Sequence, residues 1–437
     1  MRRSFIVLAF MYGLVLVSTF FWQLCADLEK HPANPRYYLM FHEKRGTIYD
    51  RTGQPLASSL SSGDGYRRQY ATVSLSHVTG YFHQRYGMTG LERLFHEDLG
   101  SGRSIFTTLD LELQRTAEKL LAGKKGAIVA LQPATGRILA LVSSPAVDGN
   151  LLEDKWPDYL EDLRSPFLNR ATQGLYPPGS AIKPIVYVAA LTEEKASLGQ
   201  TWYDEGVLRL QDRTISNSGQ RSFGEVNLNQ ALAHSSNVVF AQLAVDLKNN
   251  LLDYFRSFGL GSEVDFEIRN SKGIVPAHIY SDYEAAQLAL GQGELLVTPL
   301  QMAMVVSTIA NGGVMMRPYL VQEVRGGLRM RQITRPQILA EVTTQRIASN
   351  LRDAMVLAAQ EGTGKTEFST SLNYAAKTGT AQTSQGSDHA WFIGFAPTQL
   401  PQVAVAVIVE HGGSGGQVAA PLGAELMLRA LQVDQVR

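Results

Sequence analysis

Residues 176–184 have the sequence Tyr-Pro-Pro-Gly-Ser-Ala-Ile-Lys-Pro, in which a serine and a lysine stand three positions apart. The prolines and the glycine end the preceding loop, so the pattern predicts a helix that begins at Ser180. Positions i and i+3 share one face of a helix, which brings the Ser180 hydroxyl within reach of the Lys183 amine. A neutral lysine can take the serine proton and make a nucleophile. Alone the pattern is weak, because an exposed helix start with a solvated lysine has the same sequence.

A second short motif, Ser235-Ser236-Asn237, lies in a run from 228 to 247 that is predicted to be helical. Ser235 is a candidate proton relay, because a hydroxyl both donates and accepts. Asn237 can hold a substrate amide through its own donor and acceptor. The alternative is that the polar residues only mark a helix junction.

A third motif has the sequence Lys-Thr-Gly-Thr at 377–380, inside a predicted strand at 375–381. Gly379 leaves the strand without a side chain at one position, so another backbone can approach closely. An extended peptide can then pair with this edge as an added strand. An ordinary break in an edge strand is the alternative.

The third motif also supplies charge and hydrogen-bond donors to the first. Lys377 and Thr378 are candidates to bind a terminal carboxylate. Lys377 is a nearby cation that favours a neutral Lys183. The backbone N–H groups of Ser180 and Thr380 are candidate donors to an oxyanion.

The rest of the chain predicts an α+β fold around these motifs. Apolar runs separated by turn residues predict five strands, at 126–131, 137–142, 375–381, 390–395 and 403–409. The pattern between 173 and 345 is mostly helical, and a last helix is predicted at 420–431. Strands at both ends with helices between them indicate one antiparallel sheet that takes strands from both ends.

The N-terminus predicts a membrane anchor. Residues 4–25 carry no charge and are long enough to cross a bilayer as a helix. Arg2 and Arg3 favour a cytoplasmic N-terminus. Three charged residues then end the apolar run: Asp27, Glu29 and Lys30. A cleaved signal peptide is the alternative, although its apolar core is usually about 7–15 residues long.

We therefore predict four segments along the chain. They are a cytoplasmic N-terminus at 1–3, a transmembrane helix at 4–25, a short stalk at 26–104 and a catalytic domain at 105–437. The stalk is rich in Gly, Ser, Arg, His and Tyr, with short apolar runs, whereas the pattern becomes globular from 105.

Composition argues against several function classes. The 40 basic and 40 acidic residues give a net charge of zero, which offers no basic face for nucleic acid. Cys25 is the one cysteine, so neither a disulfide within the chain nor a cysteine-based metal site can form. The nine histidines lack the spacing of a zinc protease, and we predict no metal.

Two glycine-rich segments resemble phosphate-binding loops without meeting their pattern. Residues 362–366 match the end of a nucleotide P-loop, but Ala359 stands where its first glycine should be. Residues 412–416, between the last strand and the last helix, predict a flexible loop at the mouth of the site.

Together the three motifs resemble the signature of the penicillin-recognising serine acyltransferases, with gaps of about 55 and 140 residues. Nearly the whole chain is similar to a class B penicillin-binding protein. Five further segments carry this likeness: 45–57, 86–92, 290–293, 298–303 and 310–313. Ala181-Ile182 stand where Thr-Phe is common in the family, and the stalk is short for the class.

The resemblance implies a peptidoglycan D,D-transpeptidase with a β-lactamase-like domain and no cofactor. Ser180 would attack the D-Ala-D-Ala bond of a stem peptide, and an amine of a neighbouring stem would resolve the acyl-enzyme. β-Lactam antibiotics would acylate the same serine. The resemblance assigns catalytic roles to Ser180, Lys183, Ser235, Asn237 and Lys377, and substrate binding to Thr378, Gly379 and Thr380.

The resemblance also implies a location and a partner. The catalytic domain would lie outside the cytoplasmic (inner) membrane, beside a separate multi-span glycan polymerase of the SEDS type. The same motifs fit a D,D-carboxypeptidase or a serine β-lactamase, because only the fate of the acyl-enzyme differs. A β-lactam sensor or a scaffold is a further alternative.

Overall fold

The computed structural model of the chain describes residues 2–25, 40–63, 65–327, 332–383 and 386–435. Its strands are β1 (Ile48–Tyr49), β2 (Pro55–Ser62), β3 (Gly65–Tyr70), β4 (Phe82–His83), β5 (Gly87–Met88), β6 (Ser104–Thr107), β7 (Gly126–Leu131), β8 (Ile138–Ser144), β9 (Thr201–Asp204), β10 (Val207–Leu210), β11 (Arg213–Ser216), β12 (Gly224–Asn227), β13 (Val314–Met316), β14 (Val321–Arg325), β15 (Gln332–Ile333), β16 (Ile338–Glu341), β17 (Ala375–Ala381), β18 (His389–Ala396) and β19 (Val403–Val409). Its α-helices are α1 (Arg2–Phe20), α2 (Gly90–Leu94), α3 (His96–Gly100), α4 (Leu111–Leu120), α5 (Leu152–Glu161), α6 (Lys183–Thr192), α7 (Leu228–Ala233), α8 (Asn237–Leu247), α9 (Asn250–Ser257), α10 (Asp282–Ala289), α11 (Pro299–Ala310), α12 (Gln345–Gln360) and α13 (Ala420–Gln435).

The central sheet joins strands from both ends of the chain. Its order is β17-β18-β19-β7-β8, and every neighbouring pair is antiparallel. The five strands lie where the sequence predicts them, with ends that differ by at most two residues. The predicted α+β class and the five-stranded antiparallel sheet are therefore confirmed.

Both faces of this sheet are buried, which explains its long apolar runs. In β19, Ala404, Ala406 and Ile408 belong to one hydrophobic cluster, whereas the alternate valines belong to a second. Successive side chains of a strand point to opposite faces, so a strand covered on both sides needs no polar alternation. One face packs on α4 and α13, and α11 covers the other.

The stalk is built on a six-stranded sheet with the order β15-β14-β6-β1-β2-β3. β1 pairs in parallel with β6, and β6 pairs antiparallel with β14, which lies more than 200 residues later in the chain. The sheet therefore takes strands from both sides of the sequence boundary at 104/105.

A buried ionic cluster joins two of the stalk segments that carry the family likeness. Glu92 is completely buried, and its carboxylate accepts from Arg45 Nη2 at 3.1 Å and from Arg68 Nε at 2.5 Å. The Arg45 guanidinium also lies 3.8 Å from the centre of the Phe82 ring. Two almost completely buried guanidinium groups thus share one carboxylate.

The N-terminal helix fits a single-pass membrane anchor. A span over Arg2–Gln23 has a mean hydropathy of 2.2, with none of it buried in the protein. α1 continues into a π-helical turn at Phe21–Cys25. Residues 26–39, which include the charges predicted to end the apolar run, lie outside the described residues.

The prediction of a mostly helical region at 173–345 holds for α6 to α11 but misses its small sheets. β9 pairs with β12, and β10 forms a hairpin with β11. These strands have four residues each and are largely exposed, so they carry no apolar run that sequence patterns could reveal.

We predict that Glu92→Gln lowers the free energy of unfolding by roughly 3–5 kcal/mol, because it leaves two buried guanidinium groups without a counter-charge. Denaturant unfolding of the full chain in detergent measures this. Glu97→Gln is the matched control, since Glu97 is exposed on the neighbouring helix. Equal stability of the two variants would contradict a stabilising role for the ionic cluster.

Candidate active site

The Lys183 amine is the point at which the first two motifs meet. It is fully buried, and three oxygens lie within hydrogen-bond distance of its Nζ: Ser235 O at 2.7 Å, Ser236 O at 3.1 Å and Asn237 Oδ1 at 2.8 Å. The Ser235 hydroxyl lies 3.3 Å from the same nitrogen. The second motif therefore surrounds this amine with oxygen atoms.

The third motif reaches the same place from the sheet. Lys377 is also fully buried, and its Nζ donates to Ser235 Oγ at 2.9 Å and to Thr378 O at 2.8 Å. The Ser235 hydroxyl thus lies between two lysine amines, in hydrogen-bond contact with both.

The second motif can surround the amine because a helix ends there. Ser236 N donates to Ala231 O at 2.8 Å and Ser235 N donates to Leu232 O at 3.1 Å, while Ser235 has a left-handed φ of 60°. These are the two bonds of a Schellman helix end. Ser236 then caps α8 by accepting from Val239 N at 3.1 Å. The predicted helical run at 228–247 is therefore divided into α7 and α8 at the helix junction that was the alternative, and the break aims the motif's oxygens at Lys183.

The first motif begins in a tight turn instead of an α-helix. Gly179 has a φ of +55° and opens a 3₁₀ turn over Gly179–Ile182, after which α6 starts at Lys183. Ser180 is half-buried in this turn. Among the described residues its hydroxyl is not one of the oxygens bonded to Lys183 Nζ. The structure thus brings Ser180 and Lys183 into one turn without joining them by a hydrogen bond.

Gly379 allows this turn to pack directly against the edge strand β17. A Cβ atom at Gly379 would lie 2.7 Å from Pro178 O and 2.9 Å from Ala181 N. The sequence predicted a close backbone approach at Gly379. It is made by the protein's own turn at Gly179–Ile182, which carries Ser180 and is called the serine turn below.

The predicted oxyanion donors lie where the turn meets the strand. A Cβ atom at Gly179 would lie 2.8 Å from Thr380 O and 2.9 Å from Thr380 C, so the turn packs against this peptide unit of β17. The Ser180 N–H lies in the first helical turn, where N–H groups lack partners within the segment.

The two glycine-rich segments that do not meet the phosphate-loop pattern, 362–366 and 412–416, both contact the third motif. Thr378 Oγ1 donates to Thr363 Oγ1 at 2.7 Å, and Gly415 N donates to Thr380 Oγ1 at 3.2 Å. The second segment lies at the predicted mouth of the site, but Gly415–Ala419 forms a π-helical turn packed against Gly379. The segment is therefore partly ordered by the strand it covers.

Burial and the proximity of the Lys183 and Lys377 amines shape the electrostatics of the site. Burial, and next the charge of Lys377, hold the pKa of Lys183 well below its usual range, while the Asp204 carboxylate raises it. Burial lowers the pKa of Lys377 to about 7. A neutral Lys183 has a free electron pair and can act as a base.

Residues 126–428 match the penicillin binding protein transpeptidase domain, and residues 45–126 match the penicillin binding protein A dimerisation domain. The chain belongs to the penicillin-binding protein transpeptidase family. The likeness to class B penicillin-binding proteins is thereby confirmed.

Relatives of the same family align along most of the chain. Peptidoglycan D,D-transpeptidase PbpA of Mycolicibacterium smegmatis is 33% identical over 99% of both chains. MrdA of Escherichia coli, also a peptidoglycan D,D-transpeptidase, is 31% identical over 81% of this chain and 62% of its own. The ceftriaxone acyl-enzyme of penicillin-binding protein A from Mycobacterium tuberculosis superposes with a TM-score of 0.84 and 31% identity. That match covers 90% of this chain and 99% of the other.

Family motifs did not reveal every residue that contacts the site. Asp204 and Asn217, which lie behind the second motif, were missed, and so was Thr363. Asp204 and Asn217 stand in short turn sequences, Asp-Glu-Gly and Asn-Ser-Gly, that look like surface punctuation. Thr363 lies in the segment discarded as a P-loop.

We predict that Gly379→Ala lowers the free energy of unfolding by roughly 1–3 kcal/mol, because the new methyl group meets backbone atoms that cannot rotate away. Denaturant unfolding is the measurement. Gly199→Ala is the control, since an added Cβ there meets no atom within 4 Å. Indistinguishable stabilities would show that the serine turn does not pack on β17.

Proposed function

We propose that the protein is a peptidoglycan D,D-transpeptidase with Ser180 as its nucleophile. The observation that carries this proposal is the buried Lys183 amine, held by the second motif beside Lys377. The family membership supports it, as do full-length relatives named as D,D-transpeptidases.

Acylation begins with proton transfer from Ser180 Oγ to the neutral Lys183 amine. The serine oxygen attacks the carbonyl carbon between the two terminal D-alanines, and the N–H groups of Ser180 and Thr380 stabilise the oxyanion. The hydrogen bond between the two side chains forms in the substrate complex, since catalytic contacts often tighten only there. The Ser235 hydroxyl, bonded to both lysines, passes a proton to the leaving D-alanine nitrogen.

The edge strand β17 receives the donor stem peptide as an added strand. Asn237 Oδ1 accepts from Lys183, and its Nδ2 donates to Ser216 O at 2.8 Å. An amide nitrogen has two hydrogens, so one remains to donate to a substrate carbonyl. Lys377 and Thr378 bind the terminal carboxylate, and Gly379 lets the turn that carries Ser180 pack beside them.

An amine of a neighbouring stem peptide then attacks the ester carbonyl and forms the new amide, and the proton that this amine loses passes to Ser180 Oγ as the serine leaves. A β-lactam acylates the same serine and leaves a slowly hydrolysed ester. One relative, penicillin-binding protein A from M. tuberculosis, was solved as such acyl-enzymes with ceftriaxone, imipenem and penicillin G.

The anchor helix supports a location at the cytoplasmic membrane. We propose a cytoplasmic N-terminus at 1–3, an anchor at 4–25, a stalk at 26–104 and an extracytoplasmic catalytic domain at 105–437. Arg2 and Arg3 before the apolar helix support this orientation.

A separate multi-span polymerase of the SEDS type is the proposed partner. A glycan polymerase domain needs roughly 150 or more residues of its own. The predicted stalk at 26–104 is too short to hold one. The contact would run through the 4–25 helix, which is the proposed membrane span, and the 45–57 segment, which is the part of the stalk proposed to lie nearest the membrane.

We predict that Ser180→Ala abolishes covalent labelling by a fluorescent penicillin, because the ester oxygen is gone. Lys183→Arg should fail almost as badly, since a guanidinium keeps its proton at any working pH. Labelling over time, with unfolding curves as the folding control, measures both. Stoichiometric labelling of the alanine variant would refute the nucleophile, and a wild-type rate in the arginine variant would refute the base.

We predict that replacing residues 4–25 with an unrelated single-span helix removes co-purification with a multi-span polymerase while penicillin labelling stays unchanged. The labelled site lies wholly outside the exchanged segment. Co-purification from detergent-solubilised membranes is the measurement. Full retention of the polymerase by the exchanged protein would contradict a contact through the anchor.

A further inference from the structure

Asp204, at the end of β9, is a completely buried carboxylate behind the second motif. Its Oδ1 accepts from Gly206 N and Asn217 Nδ2, both at 2.8 Å. Its Oδ2 accepts from Asn217 Nδ2 at 2.9 Å and from Ser236 Oγ at 2.5 Å. No ion pair of Asp204 is found in the described part of the chain, and a buried charge without one is costly.

Asn217 connects Asp204 to the start of α8 by hydrogen bonds. Its Oδ1 accepts from Asn237 N at 2.7 Å and from Val238 N at 3.3 Å, so it caps two free N–H groups of the helix. The carbonyl of the preceding residue, Ser216, accepts from Asn237 Nδ2. Asn217 thus fixes the residue whose Oδ1 bonds Lys183.

Ser236 provides the second connection. Its hydroxyl donates to Asp204 and accepts from Val239 N, and its carbonyl accepts from Lys183 Nζ. Displacement of Asp204 would therefore release a residue that touches the lysine amine directly.

The groups facing Lys183 differ in charge. Lys377 is the cation that lowers the pKa of Lys183, and Asp204 is the anion that raises it. Ser235 and Asn237 are neutral, and the Phe240 ring centre lies 5.4 Å from Nζ. The two charged groups act on the same amine in opposite directions.

We infer that Asp204 is a positioning residue that holds the second motif on the Lys183 amine, through Ser236 and Asn217, and supplies a negative charge that opposes Lys377. This inference rests on the proposed role of Lys183 as the base. The consequence is chemical: a base with too low a pKa accepts a proton poorly, so the carboxylate preserves the basicity of Lys183.

The pH dependence of acylation tests the charge. In Asp204→Asn the amide keeps the shape of the carboxylate and removes its charge. The pKa of Lys183 then falls, and the rising limb of the pH–rate profile moves to lower pH by about one unit. In Lys377→Gln the opposing cation is lost, so the limb moves to higher pH.

The experiment follows fluorescent-penicillin acylation of the full chain in detergent across pH. Asp212→Asn is the matched control, since Asp212 is exposed at the tip of the β10–β11 hairpin, and its profile should stay at the wild-type position. A limb that moves in Lys377→Gln but not in Asp204→Asn overturns the inference alone. A limb unmoved in both overturns the proposed base and the inference with it.

Ser236 variants test the positioning without changing any charge. Ser236→Ala removes the hydrogen bond to Asp204, and we expect acylation to slow roughly 10- to 100-fold with the limb unmoved. Ser236→Thr retains the hydroxyl and should recover most of the rate. A wild-type rate in Ser236→Ala overturns the inference, and this test holds even if Asp204→Asn fails to fold.

Discussion

The burial of two lysine amines against one serine hydroxyl is the constraint on which the active site depends. Water would solvate both amines as cations, and burial removes that solvation. Among the described residues, the oxygens of the second motif are the hydrogen-bond partners of Lys183 Nζ, and they must be held in place against the backbone preference of Ser235 for negative φ. The end of α7, where Ser235 has a left-handed φ, and the hydrogen bonds of Asp204 and Asn217 behind it both position oxygens around the Lys183 amine.

Glycine contacts join the first and third motifs to each other and to the 290–293 segment. Gly379 brings the edge strand against the serine turn, and Gly179 brings the turn against Thr380. A Cβ at Gly291, in a segment that carries the family likeness, would lie 2.1 Å from Gly179 O. Backbone therefore packs on backbone at three points around Ser180, so its position is set without relying on side-chain rotamers.

Much of the fold could be predicted from sequence, because its strands are apolar runs bounded by turns. Asp110 caps α4 by accepting from Glu112 N and Leu113 N, a role that aspartate favours at a helix start. The sequence left open whether Ser235 lies inside a helix or at a helix junction, since apolar residues continue on both sides of it. The pairing of β14 with the stalk was hidden, because a short strand gives no local sign of a partner 200 residues away. Asp204 and Asn217 each look like a turn residue until the fold brings them together.

The six-stranded stalk sheet affects how this architecture could be exchanged between relatives. Because β14 and β15 come from within the later part of the chain, the stalk is encoded in two separate stretches of the gene. A recombination event that replaced only the first stretch would leave β6 beside a mismatched β14. The stalk and the catalytic region are therefore expected to be inherited as a single block, with compensating changes across the β6–β14 seam.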